Sequence, residues 1–200
     1  MMFVVAGAPT ALNLTDDFNR ASLGTDYTVF GSAPVVSSNR AQAGTPAAST
    51  TVIYAAGHNT PFSTDGQEIE WIPIAATAGA SHATISSGCF LRSTTSGDRV
   101  EGLTTSGQAF IVTRIGGVAT QRASAPIGTP TAVRLRASGN VYSLYVSGSA
   151  TPSATWTDTG AVIPIGPTTR TFGIVTPAQA DFAGNVARGY AIDQFTARDI

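Results

Sequence analysis

The feature that most constrains the fold is a series of short alternating segments, none carrying a 3.6-residue apolar period over ten or more residues. Segments such as Gln67–Ile74 and Arg99–Thr105 are separated by turn residues such as Gly116-Gly117. Many short strands joined by glycine-rich turns are typical of a β-sandwich or barrel. We therefore expect an all-β protein in which Thr176–Ala183 is the one stretch able to hold a helical turn.

The clearest single element is the stretch from Ala132 to Gly148, AVRLRASGNVYSLYVSG. Apolar and polar residues alternate on both sides of Ser138-Gly139-Asn140, a sequence that tolerates the positive φ of a tight turn. This pattern predicts a β-hairpin with one buried and one outward face. The predicted core residues are Val133, Leu135, Tyr142, Leu144 and Val146.

Composition narrows the class of protein. At 200 residues the chain has the size of a single sandwich domain, and only 12% of its residues are charged. Its eleven basic residues are all arginine, they form no run, and the net charge is −1, which argues against nucleic-acid binding. The single cysteine, Cys89, excludes an internal disulfide and lies in a predicted strand, as a buried structural thiol would.

The first fourteen residues, MMFVVAGAPTALNL, predict an apolar arm that precedes a domain from 15 to 200. The arm lacks a basic segment at its start and is interrupted at Gly7 and Pro9, so it does not have the pattern of an export signal. No segment reaches the length of about 18 apolar residues that a membrane span requires. We expect synthesis and assembly in a cytoplasm.

Three segments in order resemble the concanavalin A-like (laminin G-like) jelly-roll family. They are DDFNRASLGTDYTVFG near the start, VRLRASGNVYSLYVSG in the hairpin, and YAIDQFTARD at the end. The intervening CFLRSTTSGDRVEGLTTSGQAFIVTRIGG is similar to the middle strands of that family. The resemblance implies a jelly-roll sandwich of two antiparallel sheets, with the first and last strands close together in one sheet.

The DDFNRA-type opening, in a chain rich in Gly, Ala and Thr that uses Arg in place of Lys, resembles minor tail and head-surface proteins of tailed phages of GC-rich bacteria. This resemblance implies a non-enzymatic structural protein of a phage virion, such as a minor tail or tail-tip protein, assembled in the host cytoplasm. Capsid decoration on the head surface and carbohydrate or receptor binding are the alternatives. Implied partners are other virion proteins, further copies of the chain in a homo-oligomer, and a host-surface glycan.

The outward face of the predicted hairpin is the first candidate contact surface. Arg134, Arg136 and Tyr145 occupy outward positions, and Trp156 follows on the next predicted strand. Aromatic rings stack on sugar rings, and arginines bind polar groups, so these four residues are candidates for contact with a glycan or protein partner. The alternative for the aromatic residues is a place in the core or at an interface.

Glu68 and Glu70 lie two residues apart on one predicted strand, so their carboxylates share a face. Some jelly-roll glycosidases carry an E-x-D-x-E or E-x-D-x-x-E run, and the segment Glu68-Ile69-Glu70-Trp71-Ile72 lacks the central Asp and the third carboxylate. We therefore interpret both residues as outward, solvated carboxylates. A glycosidase that uses this pair remains the enzymatic alternative.

We expect no cofactor and no catalytic residues. Laminin G-like domains often hold Ca²⁺ through carboxylates and backbone carbonyls, so the resemblance offers a calcium site as the alternative. The acidic residues that the fold would bring together for it are Asp16, Asp17, Asp193 and Asp199. His58 and His82 are predicted to be surface loop residues, since neither has the spacing of a zinc ligand.

Overall fold

The structure is a computed structural model that describes residues 10–200, and in this part the chain forms sixteen β-strands and two single turns of 3-10 helix. The helical turns are Gly24–Asp26 and Pro167–Thr169. The strands are β1 (Asn13–Asp16), β2 (Tyr27–Val29), β3 (Val35–Val36), β4 (Ala41–Gln42), β5 (Thr51–His58), β6 (Gln67–Ile74), β7 (Ser87–Ser93), β8 (Arg99–Thr104), β9 (Gln108–Ile115), β10 (Val118–Pro126), β11 (Val133–Ser138), β12 (Val141–Val146), β13 (Ala154–Thr157), β14 (Thr171–Ala180), β15 (Val186–Arg188) and β16 (Ala191–Asp199).

The strands form two antiparallel sheets of eight strands each. Sheet A has the order β13-β12-β11-β6-β16-β4-β3, with β1 also paired to β16. Sheet B has the order β10-β9-β8-β7-β14-β5-β2, with β15 also paired to β14. The predicted all-β jelly-roll sandwich is confirmed, and its first and last strands pair in sheet A.

The hairpin that is most distinct in the sequence forms β11 and β12. Its strands pair from Val133 with Val146 to Ser138 with Val141, and Gly139 has the predicted positive φ of 55°. All five predicted core residues of the hairpin are buried. The period-2 pattern therefore predicted both the strands and the buried face.

The main core lies between the sheets around Trp71 of β6, which is almost fully buried. Gly88 and Gly102 of sheet B leave room for its indole ring. A Cβ atom at Gly102 would lie 3.0 Å from the ring of Trp71 and 2.9 Å from the side chain of Leu144. The two sheets approach closely here because sheet B carries no side chain at these positions.

Two sequence predictions need correction or limitation. Thr176–Ala180 is the extended second half of β14 and not a helical turn, because each residue from Thr176 to Gln179 pairs with β5. The predicted arm, residues 1–14, lies largely outside the described residues, and its last two residues, Asn13 and Leu14, belong to β1. No helix in residues 10–200 is long and apolar enough to cross a membrane.

Candidate functional site

The outer face of sheet A carries three of the four candidate contact residues. Arg134 pairs in register with Glu70 on one side and with Tyr145 on the other. Arg136 pairs with Glu68 and with Ser143 in the next row. The alternation of β6, β11 and β12 therefore places these side chains together on the surface that faces away from the core.

Glu68 is surrounded by arginines on this face. The Nε of Arg198 donates a hydrogen bond of 2.6 Å to Oε1 of Glu68, and the Nε atoms of Arg134 and Arg136 lie 3.6 and 3.9 Å from Oε2. Glu68 is only 3% exposed because these side chains cover it. The prediction that Glu68 is a solvated carboxylate is wrong, although its outward direction is as predicted.

This face of sheet A offers little space for a ligand. The guanidinium carbon of Arg134 lies 4.3 Å from the ring centre of Tyr145, so the arginine covers the ring that would stack on a sugar. The cavity beside these two residues has a volume of only about 10 Å³. The surface is suited to flat contacts and not to enclosing a sugar.

Trp156 lies on the opposite side of sheet A. It pairs in register with Tyr142, and the two rings stack with centroids 5.1 Å apart. The half-buried indole packs against the main core, and the guanidinium carbon of Arg122 lies 5.3 Å from its ring centre. The structure therefore does not bring Trp156 together with Tyr145.

Two of the four acidic residues of the predicted calcium site, Asp16 and Asp199, are engaged within the chain. Asp16 accepts hydrogen bonds from Arg20 (2.8 and 2.5 Å) and from the Tyr27 hydroxyl (2.6 Å). Asp199 accepts bonds from the backbone N–H groups of residues 12, 63 and 64. The part of the chain that the structure describes holds no group of three or more carboxylate, histidine or cysteine side chains able to bind a metal ion. The four predicted residues do not fit Ca²⁺ as a set.

His58 is buried at the end of β5, which contradicts its prediction as a surface loop residue. Its ring stacks on Phe172 at 5.4 Å and meets the edge of Tyr27 at 5.1 Å, while its Nδ1 accepts a bond of 3.1 Å from the Thr60 N–H. Burial lowers the pKa of His58, although the nearby Asp16 and Asp26 carboxylates oppose this effect.

A groove lies on the outer face of sheet B. Along β7, Cys89 and Leu91 belong to the main core, whereas the intervening Phe90 belongs to a second apolar cluster and therefore faces outward. The same alternation places Leu103 and Val112 in this outer cluster. Sheet B thus has apolar residues on both faces.

The groove, which we call the sheet B groove, has a volume of about 440 Å³. Its floor is formed by apolar residues of four strands, namely Ile53, Leu103, Phe110, Val112, Val175 and Pro177. Residues 84–86 of the loop between β6 and β7 form one wall, and Ala119 and Gln121 of β10 lie on the opposite side. Backbone hydrogen bonds from Ser81 to Arg188 (2.6 Å) and from Ser106 to His82 (2.8 Å) hold this loop against sheet B.

Glu101 lies at one end of the groove and is fully buried. Its Oε1 accepts hydrogen bonds from the Nε of Arg99 (2.9 Å) and the Nε of Arg114 (2.8 Å), and its Oε2 accepts one from Nη2 of Arg114 (3.2 Å). Both carboxylate oxygens are therefore engaged, and the arginines are fixed by charge-assisted bonds.

The two arginines differ in accessibility. The Arg99 side chain is 4% exposed, because its guanidinium carbon lies 4.9 Å from the ring centre of Phe90 and 6.0 Å from that of Phe30. Arg114 is 15% exposed, and its Nη1 donates a bond of 3.1 Å to the Gly117 carbonyl. Burial lowers the pKa of Arg99, and Glu101 opposes this effect. Arg114 is therefore the arginine that a ligand can reach.

The groove continues across sheet B. A second cavity of about 320 Å³ shares Ile53 and Arg114 with the first. A third cavity of about 200 Å³ shares Phe30 with the second and reaches His58. Arg114 thus stands where the first two cavities meet.

Sequence reasoning predicted the strand β8 but missed the Arg99–Glu101–Arg114 cluster. The spacing in the segment Arg99-Val100-Glu101 places two charges on one face of a strand whose other residues are mostly apolar, and this was the available signal. Arg114 joins them only because the β8–β9 hairpin pairs it with Arg99.

Comparison with known proteins identifies the fold but no family. No protein-family profile matches the chain, and no curated protein matches its sequence. Solved structures do match. A Bacillus subtilis protein of unknown function with a galectin-like fold is 12% identical, with a TM-score of 0.58, and the alignment covers 96% of this chain and 97% of that one.

Two further solved structures show the range of proteins with this architecture. The CBM2 module of the evolved Dit protein of Lactobacillus casei BL23 phage J-1 is 11% identical, with a TM-score of 0.58, covering 96% of this chain and 98% of the module. The catalytic domain of an endo-1,3-beta-glucanase from Thermotoga petrophila is 7% identical, with a TM-score of 0.52, covering 95% and 98%. This chain therefore has a galectin-like, concanavalin A-like β-sandwich fold.

Proposed function

We propose that this protein is a glycan-binding module that holds its ligand in the sheet B groove without catalysing a reaction. The observation that carries the proposal is the groove itself, a cavity of about 440 Å³ with an apolar floor and the fixed Arg114 at one end. Binding sites are usually concave and apolar with a few placed polar groups, and this groove has that character.

The chemistry of the groove suits a sugar. A sugar ring has apolar C–H faces, which can pack on Phe110 and Val112, and hydroxyl groups, which can bond to Arg114, Gln121 and Thr84. The similarity to the CBM2 module of the phage J-1 Dit protein supports this proposal, because CBM stands for carbohydrate-binding module. The fold alone does not decide function, because the endo-1,3-beta-glucanase domain shares it.

The carboxylates argue for binding and against glycoside hydrolysis. A glycosidase of the common type needs two carboxyl groups about 5–9.5 Å apart on either side of the scissile bond. Among the described residues that line the groove, Glu101 is the single carboxylate, and two arginines engage it. Glu68 and Glu70 lie on the other sheet, and the cavity beside Glu70 has a volume of only about 10 Å³.

Filling the groove tests the proposal. Ala119 lies on the exposed edge strand β10 and lines the groove, so Ala119→Trp should occupy it without disturbing the core. Val118, the preceding residue, is 67% exposed and does not line the groove, which makes Val118→Trp a matched control. On an array of bacterial surface glycans, with affinities then measured by calorimetry, we expect Ala119→Trp to weaken binding at least about tenfold and Val118→Trp to leave it unchanged.

Equal glycan affinity of Ala119→Trp and Val118→Trp would show that the binding site lies outside the sheet B groove. Loss of binding in Tyr145→Ala but not in Ala119→Trp would place it on the outer face of sheet A. Unfolding curves of each variant show whether a loss of binding reflects a loss of structure.

We further propose that the module works as part of a tailed-phage virion, where it promotes adhesion to the host through a minor tail or tail-tip protein. The arginine-only basic composition and the similarity to a module of a phage Dit protein favour this setting. Such proteins assemble in the host cytoplasm with other virion proteins, commonly as symmetric oligomers. Decoration of the head surface is the alternative location.

Purified phage particles test this setting. We expect mass spectrometry to find the chain in particles, and antibody labelling in electron micrographs to locate it at the tail. Labelling of the head would favour decoration, and absence of the chain from every particle would contradict the virion proposal while leaving glycan binding intact.

A further inference from the structure

We propose that the sheet B groove selects acidic glycans, and that Arg114 binds their carboxylate, sulfate or phosphate group. This inference rests on the proposed glycan-binding function and names the class of ligand. It follows from three properties of the groove: its charge balance, the unused donors of Arg114, and the rigid support of that arginine.

The charge balance favours an anion. The charged residues that line the first two cavities are Arg99, Arg114 and Glu101, which give two positive charges and one negative charge, a net +1. Asp98 is not among the lining residues, and its Oδ1 accepts a bond of 2.7 Å from the Gly116 N–H. A ligand with one negative charge would neutralise the remaining charge of the groove.

Arg114 keeps donors for a ligand. A guanidinium has five N–H donors. The contacts of Arg114 with Glu101 and the Gly117 carbonyl use one donor on each of its three nitrogens. One N–H on each terminal nitrogen is left, and two donors on one guanidinium can bond to two oxygens of an acidic group.

Glu101 acts as a positioning residue for Arg114. Its buried carboxylate holds the guanidinium at the junction of the two cavities, so a ligand does not have to order a flexible side chain. The low exposure of the cluster also reduces solvent screening and strengthens attraction to an anion. Arg99 completes the support but is enclosed by Phe30 and Phe90.

Matched pairs of oligosaccharides test the inference. The probe is an array that presents each neutral chain beside its uronic acid, sulfated and phosphorylated counterparts, followed by calorimetry of the best pair at constant ionic strength. We expect the acidic member to bind about tenfold more tightly than its neutral counterpart, as a charge-assisted bidentate contact would provide. In Arg114→Gln we expect the preference for the acidic member to fall below about twofold. The affinity for the neutral member should change little.

Two further variants make the result specific. Arg122→Gln removes an arginine from the neighbouring strand β10 whose Nε bonds to Thr113 and whose guanidinium lies over Trp156, away from the groove. It should retain the full preference. Arg114→Lys keeps the positive charge but cannot form the bidentate guanidinium contact, so it should retain a preference for the acidic member of only about threefold. This variant also tests the inference if Arg114→Gln does not fold.

Each outcome either supports or contradicts the proposed preference for acidic glycans. Binding of neutral and acidic members within twofold, or a preference that survives in both Arg114 variants, overturns the inference while the groove still binds glycans. If the wild-type chain binds no member of the array, the proposed function fails, and titration with inorganic sulfate followed by NMR then decides the anion site. Sulfate binding that disappears in Arg114→Gln supports that site, whereas absence of sulfate binding overturns this inference as well.

Discussion

The outer faces of the two sheets use the same residue types in different ways. Each face has a buried glutamate among arginines, Glu68 on sheet A and Glu101 on sheet B. Around Glu68 the arginine side chains are 27–43% exposed and lie on an open surface. Around Glu101 they are 4% and 15% exposed and close one end of a groove.

The difference shows that the same residue types form a binding site only where neighbouring residues enclose a cavity beside them. Beside the sheet B cluster, outward-facing apolar residues form a floor and the loop before β7 forms a wall. Beside Arg134 on sheet A, Gly148 and Ser149 of the loop after β12 enclose a cavity of only about 10 Å³. A flat ion-pair network and a binding site can thus share one local composition.

The same substitution on both faces gives the largest expected effect. Glu101→Gln leaves two nearly enclosed arginines without their carboxylate, and removing one partner of a buried ion pair costs about 3 kcal/mol or more. Glu68→Gln leaves arginines that water can reach, so its cost should be about 1 kcal/mol or less. Urea unfolding of both variants beside the wild type measures the difference.

Equal losses in the two variants would contradict the distinction between the faces. A larger loss in Glu68→Gln would mean that the sheet A network is the structural one. Because Glu101 also positions Arg114, Glu101→Gln should in addition lower glycan affinity, whereas Glu68→Gln should not.

The parts of the fold that depend on local pattern could be predicted from the sequence. The bounds of β6 and the buried face of the β11–β12 hairpin agree with the predictions, because alternation is a property of neighbouring residues. The location of the site could not be predicted. It depends on which strands pair and on how a loop without apolar periodicity, residues 75–86, folds onto sheet B.

Trp156 and His58 show the same limit at single residues. Trp156 faces the core because the β12–β13 register places it opposite Tyr142, and a loop of irregular sequence sets that register. His58 is buried because it is the last residue of β5, which brings the imidazole against Tyr27 and Phe172. Both outcomes depend on contacts between segments that are distant in the sequence.

The smallest expected effect is a pH dependence on the sheet B side. Burial lowers the pKa of His58 in the folded protein, whereas in the unfolded chain a histidine has its ordinary pKa of about 6.5. As the pH falls below that value, the unfolded chain takes up the proton first, so the stabilisation is present above about pH 6.5 and is lost as the pH falls through the folded pKa. We expect urea unfolding of the wild type to show a larger decrease in stability from pH 7.5 to pH 5 than His58→Gln shows.

His82→Gln is the matched control, because His82 is the second histidine of the sequence and its ring stacks on Tyr190 in another loop. The carboxylates with lowered pKa, Asp16, Asp181 and Asp199, titrate only at lower pH, so the interval above pH 5 isolates the histidine. The same decrease in His58→Gln as in the wild type would assign the pH dependence to other groups. Since the third cavity of the groove reaches His58, a ligand that extends this far should also bind more tightly at pH 7.5 to the wild type than to His58→Gln.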